Sequence, residues 1–427
     1  MSGFRSPLDA YREDLSRAPG RNRLATDDEL WIILATGLRR VSQAPVRSRP
    51  AAAKRLATAL VTLAEQVERM SGGASGDIDL RDQGQRQSGR ARALADAFRQ
   101  FADPAFAGTL VTEMRAVAAD AEEAGGLLVA REMLTDLLAL TPHAAPLDRG
   151  LVLIQLGRIA RTLGELETAR DMFVAAGDLG RSTGTRELEV REANAQAVLA
   201  RTRGNHPAAR AYFQAAADGA AELGLVDVSG LAHHGLMIET AEIGDFDAAL
   251  HHGWQALSAA RSQQAREAEM LTNLAKLCET AGYPDAALGG YTAALARTTA
   301  PRLRLPALAG TASAAARLGD VARVTETERR IAEEASDAFP FETARAWLAV
   351  GRARRALGDI DAAEAATGRA AAIGRAHGFH EITHRAEHEK PPAPAPLSRS
   401  GLEVIRSLET WPAEPPRGRT VSTSSTG

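Results

Sequence analysis

Cysteine is almost missing from this sequence, and its scarcity removes one class of fold. Cys278 stands alone among 427 residues, so no intrachain disulfide can form, and a single thiol suits a reducing compartment. Lysine is nearly as rare. Lys54, Lys276 and Lys390 leave 48 of the 51 basic residues as arginine, the usage of a GC-rich bacterial genome. With a formal charge of −3 the chain lacks the global basic field that draws nucleic acid. Aromatic residues are 4% of the chain against 45% apolar residues, which points to alanine-rich helices in close backbone approach. No apolar run near the start approaches the roughly 18 residues that span a bilayer. No N-terminal segment reads as a signal peptide, so a soluble, cytoplasmic protein with no membrane partner is expected. Phosphate loops of the G-x-x-x-x-G-K-[ST] type and G-x-S-x-G elbows are absent too. Neither a catalytic set nor a cofactor is expected.

What the chain does have is a period. Gly125, Gly164, Gly204, Gly244, Gly282, Gly319 and Gly358 fall 39, 40, 40, 38, 37 and 39 residues apart. Such a period marks a solenoid, in which each unit buries its apolar face only against its neighbours. Five residues after the glycine stands a small residue (Ala130, Ala169, Ala209, Ala249, Ala287, Ala363), with Val324 the exception. Nine after it comes Leu134, Phe173, Phe213 or Tyr291, and three further on alanine again, at 176, 216, 256, 294 and 370. Seven before it the chain is small at Ala118, Gly157, Ala197, Ala275, Ala312 and Gly351. Helices crossing at roughly 8–10 Å need small side chains where they touch. The anchoring glycine supplies a positive φ for the turn between the two helices of each unit.

Leu156-Gly157…Gly164…Ala169…Phe173…Ala176 and Trp347…Gly351…Gly358…Ala363…Ala370 resemble the tetratricopeptide repeat (TPR) family, in a long-period bacterial form. The resemblance covers about residues 105 to 380. Two departures stand out: the period exceeds the family's usual 34, and Glu328 and Thr367 occupy the position of the large residue. The fold expected is all-α, an alpha-solenoid of about seven TPR-like helix-turn-helix units. Residues 1–104 are read as an N-terminal helical cap with a flexible loop near 71–89, 105–389 as the array, and 390–427 as a disordered Pro/Ser/Thr-rich tail. Within that tail, Leu402, Ile405, Leu408 and Trp411 would share one side of a short helix, suited to a groove in this chain or in a partner.

The family's arrays bind extended peptides or partner helices on the concave side, through first-helix residues. The resemblance therefore implies a groove at Arg158, Arg161, Arg191, Asn194, Arg201, His234, Lys276 and Glu279, with Arg345, Arg352 and Arg355 in the last unit. Its mostly cationic character would favour an acidic or carboxylate-ended segment. The expected function is a non-enzymatic scaffold for a protein or peptide partner, with no nucleic acid. A ligand-responsive regulator, sensing through the array and relaying through the N-terminal helices, is the first alternative. The second is a zinc-dependent hydrolase. His380-Glu381-Ile-Thr-His384 is an H-E-x-x-H motif in which His380 and His384 share a helix face, Glu381 could act as general base, and His388 or Glu387 could be a third ligand. With little chain left to build a cleft, those histidines read first as the solvated end of a helix. His233-His234 and His251-His252 fall on the two helices of the fourth unit and read as core or groove histidines. Cys278 reads as a packed thiol.

Overall fold

The computed structural model describes residues 26–72, 78–100, 107–123, 126–261, 263–335, 339–388, 399–409 and 411, and among them there are helices and turns but no strands. The residues group into two packed units, Met1–Gly204 and Asn205–Gly427. The first holds α1 (Thr26–Gln43), α2 (Arg49–Gly72), α3 (Ile78–Arg99), α4 (Ala107–Glu123), α5 (Leu127–Leu140), α6 (Pro146–Thr162), α7 (Leu166–Thr183) and α8 (Arg186–Thr202). The second holds α9 (His206–Leu223), α10 (Val226–Glu242), α11 (Phe246–Ala260), α12 (Gln264–Thr280), α13 (Pro284–Leu295), α14 (Pro301–Arg317), α15 (Val321–Glu334), α16 (Pro340–Ala356), α17 (Ile360–His377), α18 (His380–His388) and α19 (Arg399–Glu409).

The repeat chemistry explains the hairpins. Ala130, Ala169, Ala209, Ala249, Ala287, Val324 and Ala363 are all fully buried, as the small-residue register requires. A Cβ on Gly157 would lie 2.4 Å from the Phe173 ring, and one on Gly235 would lie 2.3 Å from that of Phe213. Each ring thus fills the space that a glycine leaves on a neighbouring helix. Glu328, where a ring was expected, is instead ion-paired with Arg354 at 2.6 Å. At the equivalent place in the fourth unit Gly253 is buried against Leu274 and Met237. The long period comes from the helices themselves. α6 has 17 residues and α7 has 18, with three residues between them and two after, so length is added within helices and not in links.

Six anchoring glycines, from Gly164 to Gly358, have φ between +72° and +93°. Gly125 lies outside the described residues. A second set, Gly184, Gly224 and Gly378, closes the second helices in the same left-handed way. Immediately after the anchor, Asn205, Asp245, Asp320 and Asp359 cap the following helix by accepting the backbone N–H three residues on. Asp245→Ala is expected to cost about 1 kcal/mol, the typical worth of an N-cap, read as a lower urea midpoint with an unchanged slope.

The structure revises the reading of both ends. Over its described residues the loop expected near 71–89 is replaced by the end of α2 and the first half of α3. Glycine and polar residues lowered the helical signal there. Tertiary packing overrides it: Gln87, Ser88, Ala91, Leu94 and Phe98 are buried on α3, which lies along α2. One core runs from Leu30 through Phe98 and Met133 to Ile159, across the boundary read at residue 104. α1 is fixed on α5 by Arg39 to Glu132 (3.3 Å) and by the Ser42 hydroxyl donating to Asp136 (2.7 Å). At the other end, within the tail read as disordered, the short amphipathic helix expected there forms as α19, packed on α11 and α13. Residues 1–25, 389–398 and 412–427 lie outside the described residues.

Candidate peptide-binding face

First helices turn their small residues toward the partner helix of the hairpin, which leaves the opposite face to polar residues. In the first unit this face is cationic. Arg115 comes from α4, Arg158 and Arg161 from α6, and Arg191, Asn194 and Arg201 from α8. Their registers are 13, 10, 6 and 3 residues before the anchoring glycine, spacings that share one side of a helix.

Acids neutralise part of the set. Glu122 receives Arg158 in a fork at 3.0 and 3.1 Å and the Gln155 amide at 2.8 Å. Arg191 is bound to Glu187, one turn earlier, at 2.8 Å. Arg161 is half-buried and has no carboxylate partner among the described residues. Burial, and then the guanidiniums of Arg201 and Arg158, hold it below the usual arginine range. Arg115 is lowered by burial and then by Arg191 and Arg158, against a smaller opposing pull from Asp148. Burial raises the Asp148 carboxyl, against the pull of Arg115. Arg115 Nε and Asn194 Oδ1 are shielded from solvent with no hydrogen-bond partner among the described residues. Arg115 escaped the sequence reading, although it stands ten residues before Gly125, the register of Asn194 and His234.

The second unit separates the remaining candidates. His234 Nε2 receives the Asn273 amide at 3.1 Å, within the protein. Lys276 is solvent-accessible yet crowded. Desolvation, then Arg345 and then Arg385, lower its ammonium, and Glu279 opposes them. Arg352 is lowered by burial first and then by Arg385 and Arg345. Arg345 lies 5.7 Å from the Phe341 ring, and Arg355 is exposed. Glu279 does not face a groove. It is buried, receives the hydroxyls of Tyr291 (3.0 Å) and Ser313, and its backbone carbonyl receives Arg317 at 2.8 Å. Sequence periodicity placed it three residues before the glycine, and the demand of the buried Tyr291 hydroxyl for an acceptor turned it inward.

The histidines fall into two groups. His233 and His252 stack with Nδ1 atoms 3.1 Å apart, and the His251 ring is 6.0 Å from that of His252. Burial, then His233 and His251, lower His252 to about 4, with Asp245 opposing. Burial and His251 lower His233 also, against Asp218. A base depressed in the fold stays neutral while the unfolded chain takes up a proton. Stability is therefore full above pH 6.5 and falls as pH drops toward 4. With part of the ring exposed, the His252 share is about 1–2 kcal/mol. His252→Gln should flatten the fall in melting temperature across that window. On α18, His380 and His384 are exposed and Glu381 pairs with Arg385 at 3.0 Å, while Ile382 faces the core. The His388 side chain lies outside the described residues. Among the described residues no group of three or more His, Cys, Asp or Glu is arranged to hold a metal ion. Cys278 is buried, as a packed thiol would be.

Fold and face together define an all-α helical-repeat protein of the tetratricopeptide-like kind. A solved structure from Pyrococcus horikoshii, a signal-transduction ATPase with numerous domains and a tetratricopeptide repeat sensor, resembles it with a TM-score of 0.50 at 14% identity. That match covers 89% of this chain and 56% of the other, and it bears on the fold alone. A Rap protein complexed with competence and sporulation factor matches at a TM-score of 0.48 and 10% identity, covering 84% of this chain and 99% of that one. The Rap conjugation gene regulator of plasmid pLS20, in complex with the Phr* peptide, gives 0.47 and 13%, covering 85% and 99%. No protein-family model and no curated protein matches the sequence. Among the described residues no helix is long and apolar enough to cross a membrane.

Proposed function

We propose that this chain is a non-enzymatic scaffold that binds an acidic peptide segment along the first-helix face of its first unit. One observation carries the reading: three successive first helices bring Arg115, Arg158, Arg161, Arg191 and Arg201 to one face, where burial first and then the neighbouring guanidiniums hold Arg115 and Arg161 below the usual arginine range. Like charges at close range raise the energy of the unliganded face, and an anionic segment relieves it through charge-assisted bonds. Extended carboxylate side chains fit three parallel helices better than a compact anion, because the cations are spread along the stack.

The probe is a fluorescein-labelled octapeptide of alternating Glu and Ala, with a Lys/Ala peptide as control. Anisotropy should show binding of the acidic peptide alone, weakened by salt. Arg115→Glu with Arg161→Glu should weaken it at least tenfold, each site losing more than 1 kcal/mol of attraction. Equal affinity for both peptides, or an unchanged affinity in the folded variant, would end the proposal.

The single core that joins α1 to α5 favours a second reading, in which the array responds to its peptide and the N-terminal helices relay the change. Peptide-dependent hydrogen exchange in α1–α3 would support it. Exchange changes confined to α4–α8 would count against it.

A further inference from the structure

The arginine face occupies first helices. A different surface is built on two second helices of the second unit, and the chain itself fills it. α19 lies against α11 and α13 with Leu408 wholly buried and Ile405 only 3% exposed. Leu408 fits because Gly290 has no side chain: a Cβ there would stand 3.0 Å from it. Gly401 lets the start of α19 approach Asp247 and Leu250 on α11 in the same manner.

Trp411 closes the far end. Its indole N–H donates to Glu267 Oε1 at 3.2 Å, its ring meets Trp254 edge-on at 5.3 Å, and Arg261 lies 4.8 Å from the ring centre. Glu267 is held in place by Arg297 at 2.8 Å, both side chains being buried. The groove thus offers aliphatic sockets and, about ten residues on, a fixed carboxylate between an aromatic wall and a cation. Trp411 also lines a hollow of about 360 Å³ together with Asp285, Leu288, Thr292 and Arg323.

Such a groove reads a helix by pattern: apolar residues at i, i+1 and i+4, then tryptophan at i+7, as in Val404, Ile405, Leu408 and Trp411. The resident helix has only 11 residues, too few to be stable alone in water, so it folds as it docks. Ten residues, 389–398, tether it to α18.

We propose that the groove between α11 and α13 is a recognition site for an external amphipathic helix of this pattern, and that α19 is its tethered competitor. A short tether gives α19 an effective concentration on the order of 1 mM. If the isolated segment binds with a Kd of about 10 µM, the resident helix lowers the apparent affinity for an outside helix by about 100-fold.

The test uses the full chain and a fluorescein-labelled peptide spanning residues 398–413. Wild-type protein should bind the peptide weakly. The double variant Leu408→Arg/Trp411→Ala, which ejects α19, should bind it about 100-fold more tightly, and the peptide carrying Leu408→Arg should bind neither protein. No binding to the folded variant, or equal binding to both proteins, would overturn the proposal. Hydrogen exchange on the wild-type chain keeps it decidable should the variant misfold. Amides of 402–409 should exchange at least 100-fold faster than those in the middle of α11 and α13. Exchange at the same slow rate would make α19 an integral part of the core and overturn the inference.

Discussion

Phe213→Ala should destabilise the second unit by about 3–5 kcal/mol, the range for deleting a buried ring. Phe213 is 1% exposed on α9, and its ring sits where a Cβ of Gly235 on α10 would otherwise stand, 2.3 Å away. Gly235→Ala alone forces the ring off its place and should cost about 1–3 kcal/mol by overpacking. The two changes are not independent, because the alanine methyl enters space that the ring has vacated. The double variant should therefore be less damaged than the sum of the singles by about 1–2 kcal/mol. Urea unfolding followed by circular dichroism gives the three numbers. Strict additivity would show that ring and glycine do not touch. Unfolding of a repeat array spreads over neighbouring units, so midpoints are compared at constant slope.

That pairing also shows why the fold was readable. Small residues five after and seven before a glycine, and a ring nine after it, are local arithmetic. Each is a demand of backbones that must approach within one helix diameter. The structure meets those demands at Ala169, Phe173 and Gly157 as the spacing implies. The candidate face was legible only in register. Arg158, Arg161, Arg191, Asn194 and Arg201 all belong to the first helices, and the Glu187–Arg191 pair is readable one turn apart, yet spacing could not reveal that Glu122 neutralises Arg158. Glu122 comes from the preceding unit, 36 residues away. Glu279 was misplaced for a related reason, since its partners Tyr291 and Ser313 lie on two other helices. α3 failed differently. Its polar, glycine-bearing start looks like a loop until α2 is present to cover its later turns.

Glu267→Ala should be the costliest single polar change in the second unit, at about 3–5 kcal/mol, because it removes one member of a buried ion pair. Arg297 has a fully buried side chain 2.8 Å from the Glu267 carboxylate, and its Nη1 also donates to the Ala293 carbonyl at 3.2 Å. Truncating the acid takes the Glu267 carboxylate away from a guanidinium held in a low-dielectric site. It also takes the acceptor from the Trp411 indole, so protection of the α19 amides should fall together with global stability. Replacing both partners, as Glu267→Met with Arg297→Met, removes the stranded charge along with the attraction. Such exchanges are commonly neutral or stabilising, so the double variant should regain most of the lost urea midpoint. The α19 amides would still exchange fast, since methionine offers the indole only a weak acceptor. A Glu267→Ala midpoint within 0.5 kcal/mol of wild type would mean that water reaches Arg297. Recovery of stability without recovery of α19 protection would separate what the ion pair does for the core from what it does for the helix-binding groove.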